Sequence, residues 1–124
     1  PTLSYSGSQL YDTVLVPSAT QIVNELIEAT ILRAVYSKRQ LFERMVEFWS
    51  DHFSIDINTE ETRYLKTLDD GAIRQHAMGS FPALLNASAR SPAMLTYLDN
   101  DLSSSLSINE NYARELIELH TVGA

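Results

Sequence analysis

The sequence predicts an all-α fold, an irregular bundle of about five to seven helices behind an extended N-terminal lead segment. Three observations predict it. Apolar residues recur at three- and four-residue spacing through most of the chain after residue 17. Hydroxyl residues followed by Pro or Gln mark repeated helix starts. The 4 Gly and 4 Pro of the 124 residues sit at joints between periodic stretches, and no strand-like alternation follows residue 17.

Taken in order, residues 1–17 show no sustained helical period and are expected to be extended. Ser18 with Gln21 forms a capping-box pair, in which a hydroxyl and a side-chain amide satisfy orphan amides at a helix start. The helix it opens should run from Ala19 to Val35, with Ile22, Leu26, Ile27 and Ile31 on the core face and Glu25 and Glu28 turned away. Ser37 with Gln40 repeats the pattern and opens a second helix of about 14 residues. Its stripe is the clearest in the chain: Leu41, Met45, Phe48, Trp49, His52 and Phe53. Burying Leu41, Met45, Phe48 and Phe53 should stabilise by roughly 1.5–3 kcal/mol each. That outweighs the ~0.2–0.5 kcal/mol of each surface ion pair among Arg44, Glu47 and Asp51.

Beyond this the expected elements shorten. Thr59 caps a helix to Leu68 that ends at Asp69-Asp70-Gly71, and a short helical turn, AIRQHAM, stops near Gly79. Ser80 with Pro82 and Ser91 with Pro92 open helices over Ala83–Ala89 and Ala93–Leu98. The sequon Asn86-Ala87-Ser88 falls inside the first of these, which marks it as a chance match. Residues 99–107 are polar and serine-rich and read as an exposed, mobile loop. A last helix should span Asn109 to Thr121, with Gly123 as its stop.

Charge and composition narrow the function classes. Nine Lys+Arg against sixteen Asp+Glu leave −7, which argues against general nucleic-acid binding and against an anionic membrane surface. The charge is local: Arg114 stands against Asp99, Asp101, Glu110, Glu115 and Glu118, so the last 26 residues carry −4. No Cys is present, which removes disulfides, zinc–thiolate sites and a thiol nucleophile. No membrane span is expected, because the longest apolar stretch, Ile22 to Val35, is broken by Asn24, Glu25, Glu28, Thr30 and Arg33. The sequence also lacks a Gly-rich phosphate loop, a G-x-S-x-G elbow and an H-E-x-x-H pair.

The densest polar constellation is on the last helix. Glu110, Arg114 and Glu118 form an i, i+4, i+8 line, and Asn111, Glu115 and Glu118 form a neighbouring one. Either a solvated ion-pair ladder or a buried network fits, with Tyr112, Ala113, Leu116 and Leu119 toward a core. His52 lies on the apolar stripe, where a neutral imidazole donating to a backbone carbonyl competes with a ligand or general base. His120 is two residues from Glu118 and points elsewhere on a regular helix. His76 has no informative neighbour. No two histidines share helical metal-site spacing, so neither a metal nor a cofactor is expected.

The segments AVYSKRQL, MVEFWSDHF, SPAMLTYLDN and NENYARELIELHTVG, in that order, resemble the bacterial family known as domain of unknown function 1800. The resemblance runs from about Ile31 to Gly123 and implies a largely helical, exported protein several times longer than this chain. Its pattern falls on Trp49, His52, Phe53, Pro92, Leu98, Asp99, Asn100, Asn109, Glu110, Asn111, Ala113, Arg114, Glu115, Leu116, Glu118 and Gly123. His120 stands where members often carry Phe, which implies packing. No biochemical activity comes with the resemblance.

Two expectations follow. The first is a structural or interaction segment, residues 18–124, belonging to a larger domain truncated at both ends. Its partner would be the remainder of its own chain or another protein, and Asn109, Glu110, Arg114, Glu115 and Glu118 would form the binding network. The alternative is a hydrolase-like or metal-assisted enzyme completed elsewhere, with Glu115 as base or ligand, Arg114 holding an anionic group and His52 as ligand or acid.

Overall fold

The computed structural model describes residues 2–4, 6, 8, 9 and 19–123. The fold is an all-α irregular bundle, and no strand occurs among the described residues. Its helices are α1 (Ala19–Tyr36), α2 (Gln40–His52), α3 (Glu60–His76), α4 (Phe81–Ala89), α5 (Pro92–Tyr97) and α6 (Asn111–Glu115). A 3₁₀ turn, Asn100–Leu102, follows α5, and a π-helical stretch, Leu116–Thr121, continues α6. Most of the expected extended lead over 1–17, with the Ser18 cap, lies outside the described residues; Thr2–Ser4 form a 3₁₀ turn.

Helix α3 is the hub, packing against α1, α2, α4 and α5. The expected break at Asp69-Asp70-Gly71 does not occur. Thr62, Leu65, Asp69, Ile73 and Ala77 form one continuous buried face, and that packing overrides the roughly 1 kcal/mol helix penalty of Gly71. Gly71 sits on the exposed side, with nothing within 4 Å of where a Cβ would stand. Thr59 caps α3 as expected, its Oγ1 accepting from the Thr62 amide at 3.2 Å.

The core joins this face to Val46, Phe53 and Ile55 of α2 and its exit, Leu84 of α4, and Ala93, Met94 and Leu98 of α5. Trp49 locks the joint from the side. Its indole Nε1 donates to the Ala77 carbonyl at 3.1 Å, and its ring meets Phe53 and Phe81 at 6.1 and 5.7 Å. Ser80 and Ser91 stand at the N-cap positions of α4 and α5 with a proline in the first turn, but neither side chain bonds its helix. Ser88, the last residue of the sequon, is buried in α4.

Three sequence expectations are corrected here. At the start of α2 the N-cap is Arg39; Ser37 Oγ accepts from the Arg39 amide at 3.1 Å, and Gln40 Nε2 bonds the Ser37 carbonyl at 2.7 Å. The reciprocal box is replaced by a turn one step earlier. The α2 stripe is also only partly buried. Phe53 is fully enclosed and Met45 and Trp49 pack at the edge, whereas Leu41 and Phe48 are 66% and 55% exposed. Ile27 and Ile31 of α1, expected in the core, are 50% and 58% exposed. Periodicity marks an apolar side without saying which part of it is covered, and the contacts that α1 and α2 make with α3 and with each other leave these side chains half or more exposed.

Two stability measurements check this assignment. By urea titration, Phe53→Ala should lower the unfolding free energy by about 3–5 kcal/mol, whereas Phe48→Ala should change it by less than about 1 kcal/mol. Gly71→Ala should raise it by about 0.5–1 kcal/mol, since the backbone is helical and the space is open. A destabilising Gly71→Ala would show that α3 breaks where the sequence alone suggested.

Candidate functional site

The polar residues of the last helix are organised by short-range hydrogen bonds. Asn109 Oδ1 accepts from the Asn111 amide at 2.9 Å, and the Asn109 amide donates to Ser103 Oγ at 3.2 Å, so Asn109 both starts α6 and ties it to the preceding loop. Glu110 occupies the N-cap position and is exposed. Arg114 Nη2 donates to Asn111 Oδ1 at 2.8 Å and lies 3.4 Å from Glu115 Oε1. The i, i+4 ladder from Glu110 through Arg114 to Glu118 is not how Arg114 is engaged. Glu115 is half-buried and Glu118 exposed. Of the four apolar positions assigned to a core face, Tyr112 and Leu116 are half-buried, whereas Ala113 is exposed and Leu119 is 64% exposed.

From Leu116 the helix widens, with the Val122 amide reaching the Ile117 carbonyl at 3.2 Å and Thr121 Oγ1 bonding the Leu116 carbonyl at 2.7 Å. The widened turn carries His120 inward. Its ring is buried beside Phe53 (5.2 Å, edge-on), Tyr112 (6.2 Å) and His52 (6.4 Å). His52 Nε2 lies 3.0 Å from the His120 carbonyl, which can only accept, so Nε2 carries the proton. The two histidines thus join α2 to the last segment, one by a backbone hydrogen bond and the other by packing. Burial pushes the His120 pKa down, His52 pushes it further down, and Glu115 opposes both. Burial also raises the Tyr112 phenol.

Among the described residues no hydrogen bond or ion pair joins His52 to Arg114 or Glu115. His52 is committed to a main-chain carbonyl, while the Arg114 side chain is 60% exposed and faces Asn111. Among the described residues no group of three His, Asp or Glu side chains is placed to hold a metal ion.

A second region, absent from the sequence reading, is a groove of about 730 Å³ between α1 and α2 with α3 as its floor. The α1 wall is apolar and the α2 wall polar. Ion pairs cross the floor: Arg74 Nη2 to Glu43 Oε1 at 2.9 Å, and Arg33 Nη1 to Asp70 Oδ2 at 3.9 Å. Beneath them Lys66 Nζ bonds the fully buried Asp69 at 2.8 Å. Asp70 holds its proton more tightly than an ordinary carboxyl, because burial outweighs the attraction of Arg74, Arg33 and Lys66. Arg74 also lies over the Phe42 ring at 5.1 Å. Reading Asp69-Asp70-Gly71 as a helix end concealed these residues. The available signal was Asp69 standing four residues from both Leu65 and Ile73, in the middle of an apolar stripe.

The His120 environment fixes the sign of a pH effect. The unfolded chain takes up the proton near the ordinary value of 6.5, the folded one only at lower pH, so stability is full above 6.5 and declines as pH falls below it. Urea midpoints at pH 7.5 and 5.0 should differ less in His120→Phe, which keeps the ring but removes the titration. An equal pH dependence in the two proteins would show that His120 does not contribute.

Comparison with known proteins gives one result. No curated protein and no solved structure matches the chain. The family described as "Protein of unknown function (DUF1800)" matches residues 8–124. That match includes the α1–α3 groove and the His52–His120 junction, and this chain belongs to that family.

Proposed function

We propose that this chain is a structural and interaction segment whose exposed apolar faces pack against the rest of a larger protein or a protein partner. One observation carries the reading. Ile27, Ile31, Leu32, Val35 and Tyr36 of α1, with Leu41 and Phe48 of α2, are 50–76% exposed. Such an apolar surface, next to an ion-paired groove, is characteristic of a face that becomes covered. The last segment adds Ile117, Leu119 and Val122, exposed beside Glu118. In this reading the polar residues of α6 set the position of that segment: Asn109 anchors its start, Arg114 bridges Asn111 and Glu115, and Glu110 and Glu118 form a polar rim. In this reading the larger protein is a bacterial, exported one.

No helix of the described residues is long and apolar enough to cross a membrane; the exposed side chains are proposed to face protein. Hydroxyl-radical footprinting of the protein as isolated from its host, with whatever co-purifies, tests this. Tyr36, Leu41 and Phe48 should label no faster than half-buried Trp49. Labelling at rates matching their 76%, 66% and 55% exposure would overturn the reading.

A further inference from the structure

We infer that the last segment, residues 111–121, is a pH-operated latch: it is docked on the bundle while His120 is neutral and let go when that ring takes up a proton. The inference stands on the His52–His120 junction and does not depend on the interaction reading.

His120 is the part of the segment that enters the bundle. It is 5% exposed, with Phe53 edge-on beside it, and its Nδ1 is buried with no hydrogen-bond partner among the described residues. A neutral imidazole can leave that nitrogen bare. An imidazolium carries N–H on both nitrogens, so protonation in place would bury a donor without an acceptor and desolvate a charge. The titratable groups that face the ring are His52 from α2, and Tyr112 and Glu115 from its own segment. His52 repels an added positive charge, and burial keeps the Tyr112 phenol protonated. Glu115 attracts that charge but also faces Arg114, 3.4 Å from its Oε1. Phe53 and Phe81, the other rings of the joint, carry no charge. Burial and His52 together outweigh Glu115, so the docked ring takes up its proton at lower pH than a released one. Docking is therefore complete above 6.5 and is progressively lost as pH falls below it.

The attachment is built to come apart locally. His52 Nε2 donates to the His120 carbonyl at 3.0 Å, and that N–H is present whether His52 is neutral or charged, so the pH response lies in His120. Residues 101–108, which lead into the segment, are all exposed, and Ile117, Leu119 and Val122 already face solvent. Besides His120, release has to free Tyr112, which is half-buried against the core. The sealed core of Ile73, Leu84, Ala93 and Met94 draws on α3, α4 and α5 and has no buried residue from the segment. A second arrangement is also open to the segment. Rewinding the π-helical turn Leu116–Thr121 as regular α-helix would aim the His120 ring elsewhere.

Hydrogen–deuterium exchange of the intact protein at pH 7.5 and 5.5, corrected for the intrinsic exchange rate at each pH, tests the latch. Protection of residues 111–121 should fall severalfold at pH 5.5. Its limit is about tenfold, the most that one pH unit below the free value of 6.5 can contribute. The amides of α3, α4 and α5 should keep their protection. His120→Phe keeps a ring in place and takes up no proton, so its segment should stay protected at both pH values. Glu115→Gln removes the one attraction for the charge and should deepen the loss at pH 5.5. Equal protection at both pH values in the unaltered protein would overturn the inference, as would an undiminished loss in His120→Phe or a shallower one in Glu115→Gln. Loss of protection in α3, α4 and α5 together with the segment would also overturn it, because the bundle would then be unfolding as a whole.

Discussion

The bundle depends on a carboxylate in its core. Asp69 has no solvent exposure, yet it stands in line with Leu65 and Ile73 on the buried face of α3. Lys66 meets one of its oxygens at 2.8 Å, while Oδ1 is buried without a hydrogen-bond partner. Removing one member of a buried pair costs about 3–5 kcal/mol, because the remaining charge stays desolvated. The Lys66 side chain, 18% exposed, lies on the floor of the groove between α1 and α2.

The molecule has a sealed side and an open side. On the sealed side α3, α4 and α5 enclose Ile73, Leu84, Ala93 and Met94, none more than 1% exposed. On the open side α1 and α2 turn comparable side chains outward. A hydrophobic driving force acts on both, and only the first satisfies it within these residues. The last segment is intermediate. His120 is inserted against Phe53, while Ile117, Leu119 and Val122, on the same stretch of chain, remain outside.

Most of the helices were legible from caps and spacing. α1 and α2 were outlined by their periodicity, the start of α3 by Thr59, and α4 and α5 by Ser-Pro starts. The sides they bury were less legible. Periodicity locates an apolar face without saying which neighbour covers it, and on α2 it pointed to Phe48 although Val46 is the residue inside. Gly71 misled because propensity is a local quantity, whereas the continuity of α3 comes from residues on both sides of it. The π-helical turn leaves no spacing signature, so His120 could not be aimed from sequence. The family-typical Phe at that position hinted at burial. His52 was recognised as a residue that bonds a carbonyl, but the identity of that carbonyl, 68 residues away, is a tertiary fact.

Trp49 gives the molecule an optical property. It is the chain's single tryptophan, and its indole touches three elements at once: the Ala77 carbonyl beyond α3, Phe53 at the end of α2 and Phe81 at the start of α4. The His52 ring stands edge-on 5.6 Å away. All tryptophan fluorescence from these residues therefore originates at the joint where the helices converge. Its wavelength reports how closed that joint is.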